Sequence, residues 1–327
     1  MAATIDQGAL VTVLGGSGFI GRHTVRALAR RGYRIRVGVR RPDLAGHLQP
    51  MGGVGQIHAV QANLRYPDSV ARAVEGASVV IDLVGILAPA GRQTFEAVHV
   101  EGARTAARAA RAAGAERMIF VSAIGADAKS PGRYGRTKAA GEAAVLAEFP
   151  GAVILRPSIV FGPEDDFFNR FAGMAASAPF LPLIGGGRTK FQPVYVGDVA
   201  AAIVAAAEGR AKPGATYELG GPEVATFRKL LDRTQEYAGR ERSYFPMPFW
   251  LASLVGALSG LLPSGLRPIT ADQVRMLKSD SVVSEQALKD GRTLAGLGIT
   301  SPHAISSIVP QYLETFRPKG QYSHYRG

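Results

Sequence analysis

The chain has 327 residues, of which 46% are hydrophobic and 20% charged, and this length fits one large α/β unit or two interlocked domains. It contains no cysteine, which excludes disulfides, thiolate nucleophiles and cysteine-ligated metals, and the sequence predicts no metal site. The net charge of +12 reflects either genome composition or an anionic partner such as a phosphorylated cofactor, whereas scattered arginines without a recognition module predict no nucleic-acid partner.

Short apolar, β-branched runs alternate with amphipathic helical patterns through the first half of the chain. This alternation predicts βαβ units, and right-handed crossovers then make an α/β fold with a doubly wound parallel Rossmann sheet. The predicted strands are 9–14, 34–39, 56–61, 78–84, 117–122 and 152–156. The predicted helices are 21–31, 67–75, 94–113 and 134–148. A helix at 199–208 and a strand at 215–219 are expected to return to the same sheet.

Two inserts rich in proline and glycine interrupt this pattern in the second half of the chain. We expect them to form a smaller, interdigitated C-terminal α/β cap at the carboxyl edge of the sheet, where open α/β folds bind substrates. The predicted Rossmann domain comprises 1–161 and 194–219, and the cap comprises 162–193 and 220–316. Residues 317–327 are predicted to be a basic, polar tail.

A glycine-rich loop follows the first predicted strand and opens the first predicted helix. Gly15, Gly18 and Gly21 satisfy the pattern G-x-x-G-x-x-G. One glycine permits the tight turn, one lets the backbone approach a pyrophosphate, and one lets the helix pack on the strand, while the helix N-terminus attracts the anion. The loop therefore predicts a dinucleotide-binding site. Its expected contacts are Gly15, Ser17, Gly18, Phe19, Ile20 and Gly21.

The end of the second predicted strand indicates which dinucleotide binds. An NAD-binding chain is expected to carry an acid about 20 residues beyond the loop. Here the strand ends in Arg40 and Arg41, with no acid before Asp43. Because guanidinium groups bind a 2′-phosphate in bidentate fashion, and Arg22 can join them, the sequence favours NADPH or NADP over NAD. The alternative is that these arginines are solvated surface side chains.

Tyr134 and Lys138 form a Y-x-x-x-K pattern at the start of the fourth predicted helix. The spacing places both side chains on one helix face. A nearby ammonium is expected to lower the pKa of the tyrosine, which fits the phenol for acid–base chemistry. The same lysine can also hold the nicotinamide ribose.

These motifs together resemble the short-chain dehydrogenase/reductase superfamily, in its extended, atypical branch, over residues 9–219. The resemblance implies an NAD(P)-dependent oxidoreductase, epimerase or dehydratase fold. It also implies further cofactor contacts after the third, fourth and sixth strands. These contacts are Asn63 and Leu64 at the adenine, Val84 and Gly85 at the ribose, and Pro157, Ile159 and Val160 at the nicotinamide end.

Two positions depart from the superfamily pattern. Members usually carry a serine or threonine two residues beyond the strand-end serine, where it binds the reacting oxygen, but this chain has Ile124 there. Ser122 is either its replacement as a catalytic residue or only a strand-end or cofactor contact. The usual Asn-Val-x-Gly motif begins here with His99, which is either a structural substitution or a proton relay. Whether the chain is an enzyme is therefore left open.

A narrower resemblance is to the dehydrogenase-like accessory subunit of respiratory complex I, the NADH:ubiquinone oxidoreductase, and to its bacterial homologues. It rests on the stretches 120–142, 161–169, 192–199, 245–249 and 269–274. It implies tightly held, structural NADPH and complex I subunits as partners, and Ile124 favours this function. The alternatives are an active oxidoreductase, epimerase or dehydratase, with Tyr134 as general acid/base tuned by Lys138, and a regulator that senses NADPH.

The first eight residues lack the basic patch and apolar stretch of a secretory signal, so we expect a cytoplasmic protein. The segment 249–262 is apolar, carries no charge and contains Trp250, the only tryptophan. It is shorter than the roughly 20 residues that span a bilayer, but it can lie at a membrane surface. The protein is then peripheral on the cytoplasmic face of the inner membrane; the alternative is a buried helix.

Overall fold

The structure is a computed structural model that describes residues 8–259, 270–318 and 320. It divides the chain into two units, each of which is assembled from three stretches of sequence. The first unit comprises Met1–Pro157, Gly197–Leu219 and Ser284–Thr300. The second unit comprises Ser158–Val196, Gly220–Val283 and Ser301–Gly327.

Strands and helices alternate along the described residues. The strands are β1 (Leu10–Leu14), β2 (Arg34–Val39), β3 (Ile57–Gln61), β4 (Val79–Asp82), β5 (Arg117–Val121), β6 (Val153–Pro157), β7 (Val160–Phe161), β8 (Phe180–Ile184), β9 (Lys190–Phe191), β10 (Val194–Tyr195), β11 (Thr216–Leu219), β12 (Ala225–Thr226) and β13 (Ser243–Met247). The helices are α1 (Phe19–Arg30), α2 (Pro67–Val74), α3 (Glu101–Ala112), α4 (Arg133–Glu148), α5 (Phe168–Ser177), α6 (Val196–Ala207), α7 (Phe227–Tyr237), α8 (Phe249–Leu258), α9 (Ala271–Met276), α10 (Glu285–Lys289) and α11 (Ile305–Leu313). A π-helical turn, Glu96–Val100, leads directly into α3.

The first unit is built on a seven-stranded sheet with the order β11-β6-β5-β4-β1-β2-β3. Every pair of neighbouring strands in this sheet runs parallel. The strand order reverses between β1 and β4, which is the switch point where open α/β sheets bind ligands. The predicted doubly wound Rossmann sheet is therefore confirmed.

The core of the first unit explains why these segments become strands and helices. All four residues of β4 are buried, as expected for a parallel strand that is covered on both faces. On one face of the sheet, α3 contributes four buried alanines, Ala103, Ala106, Ala107 and Ala110, which recur at helical spacing. Small side chains let this helix approach the strands closely.

The stretch Ser284–Thr300 belongs to the first unit, although the sequence predicted it in the cap. Two hydrogen bonds attach it to the edge strand β11. Glu218 donates its N–H to the carbonyl of Arg292 at 3.0 Å, and its carboxylate accepts the N–H of Ser284 at 2.7 Å. The edge strand of an open sheet has backbone groups that are free to bond another segment. No local pattern in 284–300 predicted that this segment would bind at the edge formed by β11.

The second unit contains three two-stranded pairs: β7 with β10 and β8 with β13, both parallel, and β9 with β12, antiparallel. Its main core is aromatic, with Phe161, Phe168 and Phe227 buried among residues of α5, α7 and α11. Inside this unit, the phenol of Tyr312 donates to the carboxylate of Asp165. The unit is thus an α/β assembly with a core of its own.

Candidate functional site

The glycine loop joins β1 to α1 at the switch point of the sheet. Gly15 has a φ of +79°, and its N–H donates to the carbonyl of Gly38 on β2 at 2.9 Å. Gly18 then donates to the carbonyl of Gly15 at 3.1 Å, which closes the turn. A Cβ added at Gly21 would lie 2.5 Å from the oxygen of Gly15 and 2.6 Å from the Cα of Gly16. Only glycine therefore permits the helix to pack this close to the turn.

The N-terminus of α1 is prepared for an anion. Gly18 is its N-cap residue and offers no side chain to the helix N–H groups, and the first turn carries no acidic residue. Arg22 lies over the same loop, with Nε 3.4 Å from the carbonyl of Gly18 and Nη2 3.4 Å from that of Ser17. Helix dipole and guanidinium together make this end positive, as a pyrophosphate requires.

A cavity of about 260 Å³ lies over the loop. It brings together predicted residues from four separate segments, namely Gly15, Ser17, Gly18, Arg40, Asn63, Leu64, Val84 and Gly85. The sequence had not indicated its other lining residues, which are Leu14, Gly38, Val39, Ala62, Arg65, Leu83, Ile86, Gln93 and Val98. Most of these directly flank a predicted residue, so neighbourhood in the sequence was a usable signal. Gln93 and Val98 come from a distant stretch.

Other predicted loop and arginine positions do not line this cavity. Phe19, Ile20 and Gly21 belong to the first turn of α1. The guanidinium of Arg41 forks onto the carboxylate of Asp43, at 3.0 and 2.7 Å, and Arg41 is not a lining residue. Arg40 and Arg65 are the arginines that border the cavity.

Two buried charged residues, Lys138 and Asp82, interact electrostatically at the carboxyl edge of the sheet. Lys138 reaches from α4 and donates from Nζ to the carbonyl of Val121 at 2.9 Å. Asp82 ends β4 and accepts the N–H of Val84 at 2.9 Å. Burial raises the pKa of Asp82 to about 6, a rise opposed by Val84 and by the charge of Lys138. Burial lowers the pKa of Lys138 to about 8, while Asp82 and Glu142 oppose the fall. Sequence reasoning missed Asp82, although an acid at the end of an apolar strand was a visible signal.

Tyr134 lies on α4, edge-on to Phe95 and to His99, at ring-centroid distances of 6.1 and 5.4 Å. The expectation that Lys138 lowers its pKa is wrong, because burial raises the pKa of Tyr134 to about 12. The ammonium of Lys138 is instead bonded to the carbonyl of Val121. The phenol therefore keeps its proton more firmly than an exposed tyrosine does.

Ser122 stands at the end of β5 and is buried, and its hydroxyl has no hydrogen-bond partner among the described residues. The same holds for Oδ2 of Asp82. Ile124 is also buried, and its N–H donates to the carbonyl of Pro157 at 3.0 Å. The position that usually supplies a hydroxyl therefore offers none, while Ser122 has one to offer.

The residues present fit a dinucleotide. The loop admits a backbone-bound pyrophosphate, and the lining supplies arginines and apolar walls. Ile159 and Val160 belong to the second unit, where Ile159 accepts the N–H of Val194 at 2.9 Å. Cofactor contacts and catalytic roles at the individual residues stay predictions.

The parallel sheet and the glycine loop at its switch point define a dinucleotide-binding α/β protein. The chain belongs to the NAD dependent epimerase/dehydratase family, whose model matches residues 11–220. The predicted membership of the extended short-chain dehydrogenase/reductase superfamily is thereby confirmed.

The chain is similar in sequence to two named relatives. The chain is 38% identical to the mitochondrial NADH dehydrogenase (ubiquinone) 1 alpha subcomplex subunit 9 of Arabidopsis thaliana, over 96% of this chain and 79% of the relative. This likeness confirms the predicted resemblance to the complex I accessory subunits. The chain is also 38% identical over 200 residues to the ceramide reductase of Caulobacter vibrioides, which is 61% of each chain.

The fold is shared with DesIV, a dTDP-glucose 4,6-dehydratase from Streptomyces venezuelae solved with NAD and TYD bound. The TM-score is 0.72, the alignment covers 97% of this chain and 99% of that chain, and 18% of the residues are identical. At this identity the likeness shows the fold alone.

Proposed function

We propose that this protein is an accessory or assembly subunit of respiratory complex I that holds NADP(H) as a resident, structural cofactor. The relative that matches almost the whole chain is named as a subunit of NADH dehydrogenase (ubiquinone). The observation that carries the proposal is the contrast between the two ends of the site. The glycine loop is closed by its own hydrogen bonds and lies under a cavity lined by arginines, whereas the other end has Ile124 and a tyrosine of raised pKa.

Residues of the first unit are assigned distinct parts of the cofactor in this proposal. The loop and the N-terminus of α1 hold the pyrophosphate, and Asn63 and Leu64 flank the adenine. Val84 and Gly85 lie along the ribose nearer the nicotinamide. When bound, the cofactor supplies a nicotinamide that can carry a hydride. With a retained phenol proton and no hydroxyl at position 124, the chain positions this group more readily than it activates a substrate.

We further propose that the cofactor is NADP(H) and not NAD(H), with Arg40 and Arg65 as the 2′-phosphate contacts. Both border the cavity, and among the described lining residues none is a carboxylate that could accept from a ribose hydroxyl. Arg40→Asp should weaken NADPH binding and spare NADH binding. Arg41→Asp is the matched control, because it changes the net charge equally but alters a residue outside the lining. Equal losses in both variants would contradict direct contact by Arg40.

The functional test is to purify the tagged chain from its own cells in mild detergent without added nucleotide. Expected results are co-migration with subunits of the NADH dehydrogenase on a native gel and co-purified NADPH that stays reduced through a broad screen of carbonyl compounds. Rapid oxidation of the bound NADPH, abolished by Tyr134→Phe, would overturn the structural role of the cofactor.

An active oxidoreductase is the second candidate function. Its supporting observation is the buried hydroxyl of Ser122, which has no hydrogen-bond partner within the described part of the chain and stands at the strand end next to Lys138. In this function Ser122 binds the reacting oxygen, Tyr134 delivers the proton and Lys138 orients the ribose. The relative named ceramide reductase also supports it. Ser122→Ala would then abolish turnover, whereas a structural cofactor site would lose only affinity.

We also propose that α8 makes a peripheral contact with the inner membrane, on its cytoplasmic face. Trp250, Leu254 and Leu258 recur every four residues on this helix, with exposures of 70%, 52% and 59%. Lys278 lies 5.6 Å from the ring of Phe249, which brings a cation to the same end of the helix. Such an apolar stripe with an aromatic residue is typical of interfacial helices.

Residues 260–262 of the predicted segment lie outside the described residues. No helix among the described residues is long and apolar enough to cross a bilayer.

The single tryptophan allows a direct test of this contact. Vesicles that contain anionic lipid should shift the fluorescence of Trp250 to shorter wavelength, and Leu254→Lys should reduce binding to them. Leu288→Lys is the matched control, because Leu288 is 60% exposed on a helix of the first unit. Unchanged fluorescence in the presence of vesicles would contradict the membrane contact.

A further inference from the structure

His99 occupies an unusual place in the backbone. It lies in the π-helical turn Glu96–Val100 and is only 1% exposed. A π-turn adds a residue to the helix and is often found at functional sites. The carbonyl of His99 packs against α4, since a Cβ added at Gly141 would lie 2.0 Å from the oxygen of His99. The turn and α4 are therefore in direct backbone contact.

The hydrogen bonds of His99 determine its tautomer. The backbone N–H of Ile86 donates to Nε2 at 3.1 Å, so this nitrogen must carry a lone pair and no hydrogen. Nδ1 lies 3.1 Å from the hydroxyl of Thr137, which donates its own hydrogen to the helix carbonyls of Arg133 at 2.9 Å and Tyr134 at 3.1 Å. The remaining assignment is that Nδ1 carries the hydrogen and donates it to Thr137.

The two partners of His99 belong to the two halves of the candidate site. Ile86 follows Val84 and Gly85 in the cavity lining, and Thr137 lies on α4 immediately before Lys138. A Cβ added at Gly85 would lie 3.7 Å from Nζ of Lys138 and 3.9 Å from Nε2 of His99. A side chain at position 85 would therefore contact both Lys138 and His99.

We infer that His99 is a positioning residue that clamps the cavity-lining segment 84–86 to α4, through one neutral imidazole with both nitrogens engaged. The histidine thereby transmits the position of bound nucleotide to the helix that carries Tyr134 and Lys138, and it does not relay protons. The nucleotide readout of this inference rests on the proposed cofactor site, whereas the tautomer does not.

The surroundings keep the imidazole neutral. Burial, and to a smaller extent the ammonium of Lys138, lower the pKa of His99 to about 3. The ring stacks on Phe95 at 5.3 Å and meets Tyr134 edge-on at 5.4 Å. Lys138 is the charged group that acts on the imidazole, and no carboxylate among the described residues is one of the groups that shift the pKa of His99. A cationic imidazole would lose the bond from Ile86.

The first test reads the tautomer by nitrogen NMR of the full chain, with the His99 signals assigned from their loss in His99→Gln. We expect a protonated Nδ1, an unprotonated Nε2 and no titration between about pH 5 and 8, the range in which free histidine titrates. The tautomer with hydrogen on Nε2, or a midpoint in that range, would overturn the inference. A purely space-filling histidine does not require this signature.

The second test is a double-mutant cycle on NADPH affinity with His99→Gln and Thr137→Val. Loss of one buried hydrogen-bonded link should weaken binding about tenfold. The double variant should be no weaker than His99→Gln alone, because both changes break the same link. His58→Gln, at an exposed position, is the control. Additive losses of NADPH affinity would overturn the inference that His99 links the two segments. If His99→Gln does not fold, the affinity of Thr137→Val and the NMR signature of His99 test the inference without it.

A wild-type chain that binds no dinucleotide would count against the proposed function instead. The NMR result would in that case still decide the role of His99.

Discussion

Gly21→Ala is the most direct perturbation of the phosphate-binding loop. The added methyl group would lie 2.5 Å from the oxygen of Gly15 and 2.6 Å from the Cα and carbonyl carbon of Gly16. All three atoms are backbone, so no flexible side chain can turn away. The methyl group therefore pushes α1 away from the loop, or the loop away from β1.

The size of the effect follows from this overlap. The shortest contact lies about 0.9 Å inside the 3.4 Å at which ordinary contact begins, and overpacking of this kind costs about 2 kcal/mol. For a unit of this size, we expect a fall in Tm of roughly 5 °C. Displaced loop N–H groups also lose charge-assisted hydrogen bonds to the pyrophosphate, so the Kd for NADPH should rise about a hundredfold.

The assay combines thermal unfolding without nucleotide and titration with NADPH. Gly46→Ala is the matched control, because a Cβ there meets nothing within 4 Å and the residue lies in an exposed turn. We expect this control to keep the Tm and the affinity of the wild type. If Gly21→Ala keeps the Tm and the affinity of the control, this glycine does not set the packing of the helix on the loop.

Three further predictions concern buried contacts of the first unit. Gly141→Ala should lower the free energy of unfolding in urea by about 2 kcal/mol, because its Cβ would collide with the carbonyl of His99; an unchanged midpoint would contradict this packing. Arg156→Leu should lower the free energy of unfolding by about 3 kcal/mol, because it leaves the buried carboxylate of Glu142 unpaired. Adding Glu142→Gln should restore most of this loss, and a double variant as unstable as Arg156→Leu would show that the unpaired carboxylate is not its cause. Burial raises the pKa of Asp82 to about 6, so the folded state binds this proton more tightly than the unfolded state does. The stability that the proton contributes is therefore fully present below the ordinary pKa of 3.8 and is lost as the pH rises through about 6. Thermal scans should therefore show Asp82→Asn gaining Tm over wild type as the pH rises across this window, and a difference independent of pH would contradict the shift.

The strand, turn and helix that form the glycine loop were predictable from the sequence. Its three glycines, the strand before them and the helix after them are contiguous, and each is required by the local geometry of one turn. Arg40 also follows directly from the end of β2. Arg41 was equally plausible in the sequence, but in the structure its guanidinium is occupied by Asp43.

The chemistry at the other end of the site was not predictable in the same way. The Y-x-x-x-K spacing correctly places Tyr134 and Lys138 on one helix, but the sign of the shift in the pKa of Tyr134 was wrong. Spacing reports which residues share a face, whereas a pKa depends on burial and on every neighbouring group. Asp82, which opposes the fall in the pKa of Lys138, comes from a strand far away in the sequence.

The sequence by itself determined the alternation of strands and helices, the parallel sheet and the position of the nucleotide loop. Those features depend on periodicity and on backbone requirements within a few adjacent residues. The tertiary structure decided that 284–300 joins the Rossmann unit, that Arg65 borders the cavity, and that His99 is held as one neutral tautomer. Each of these depends on contacts between segments distant in the chain, and on the exclusion of water that only a packed fold produces.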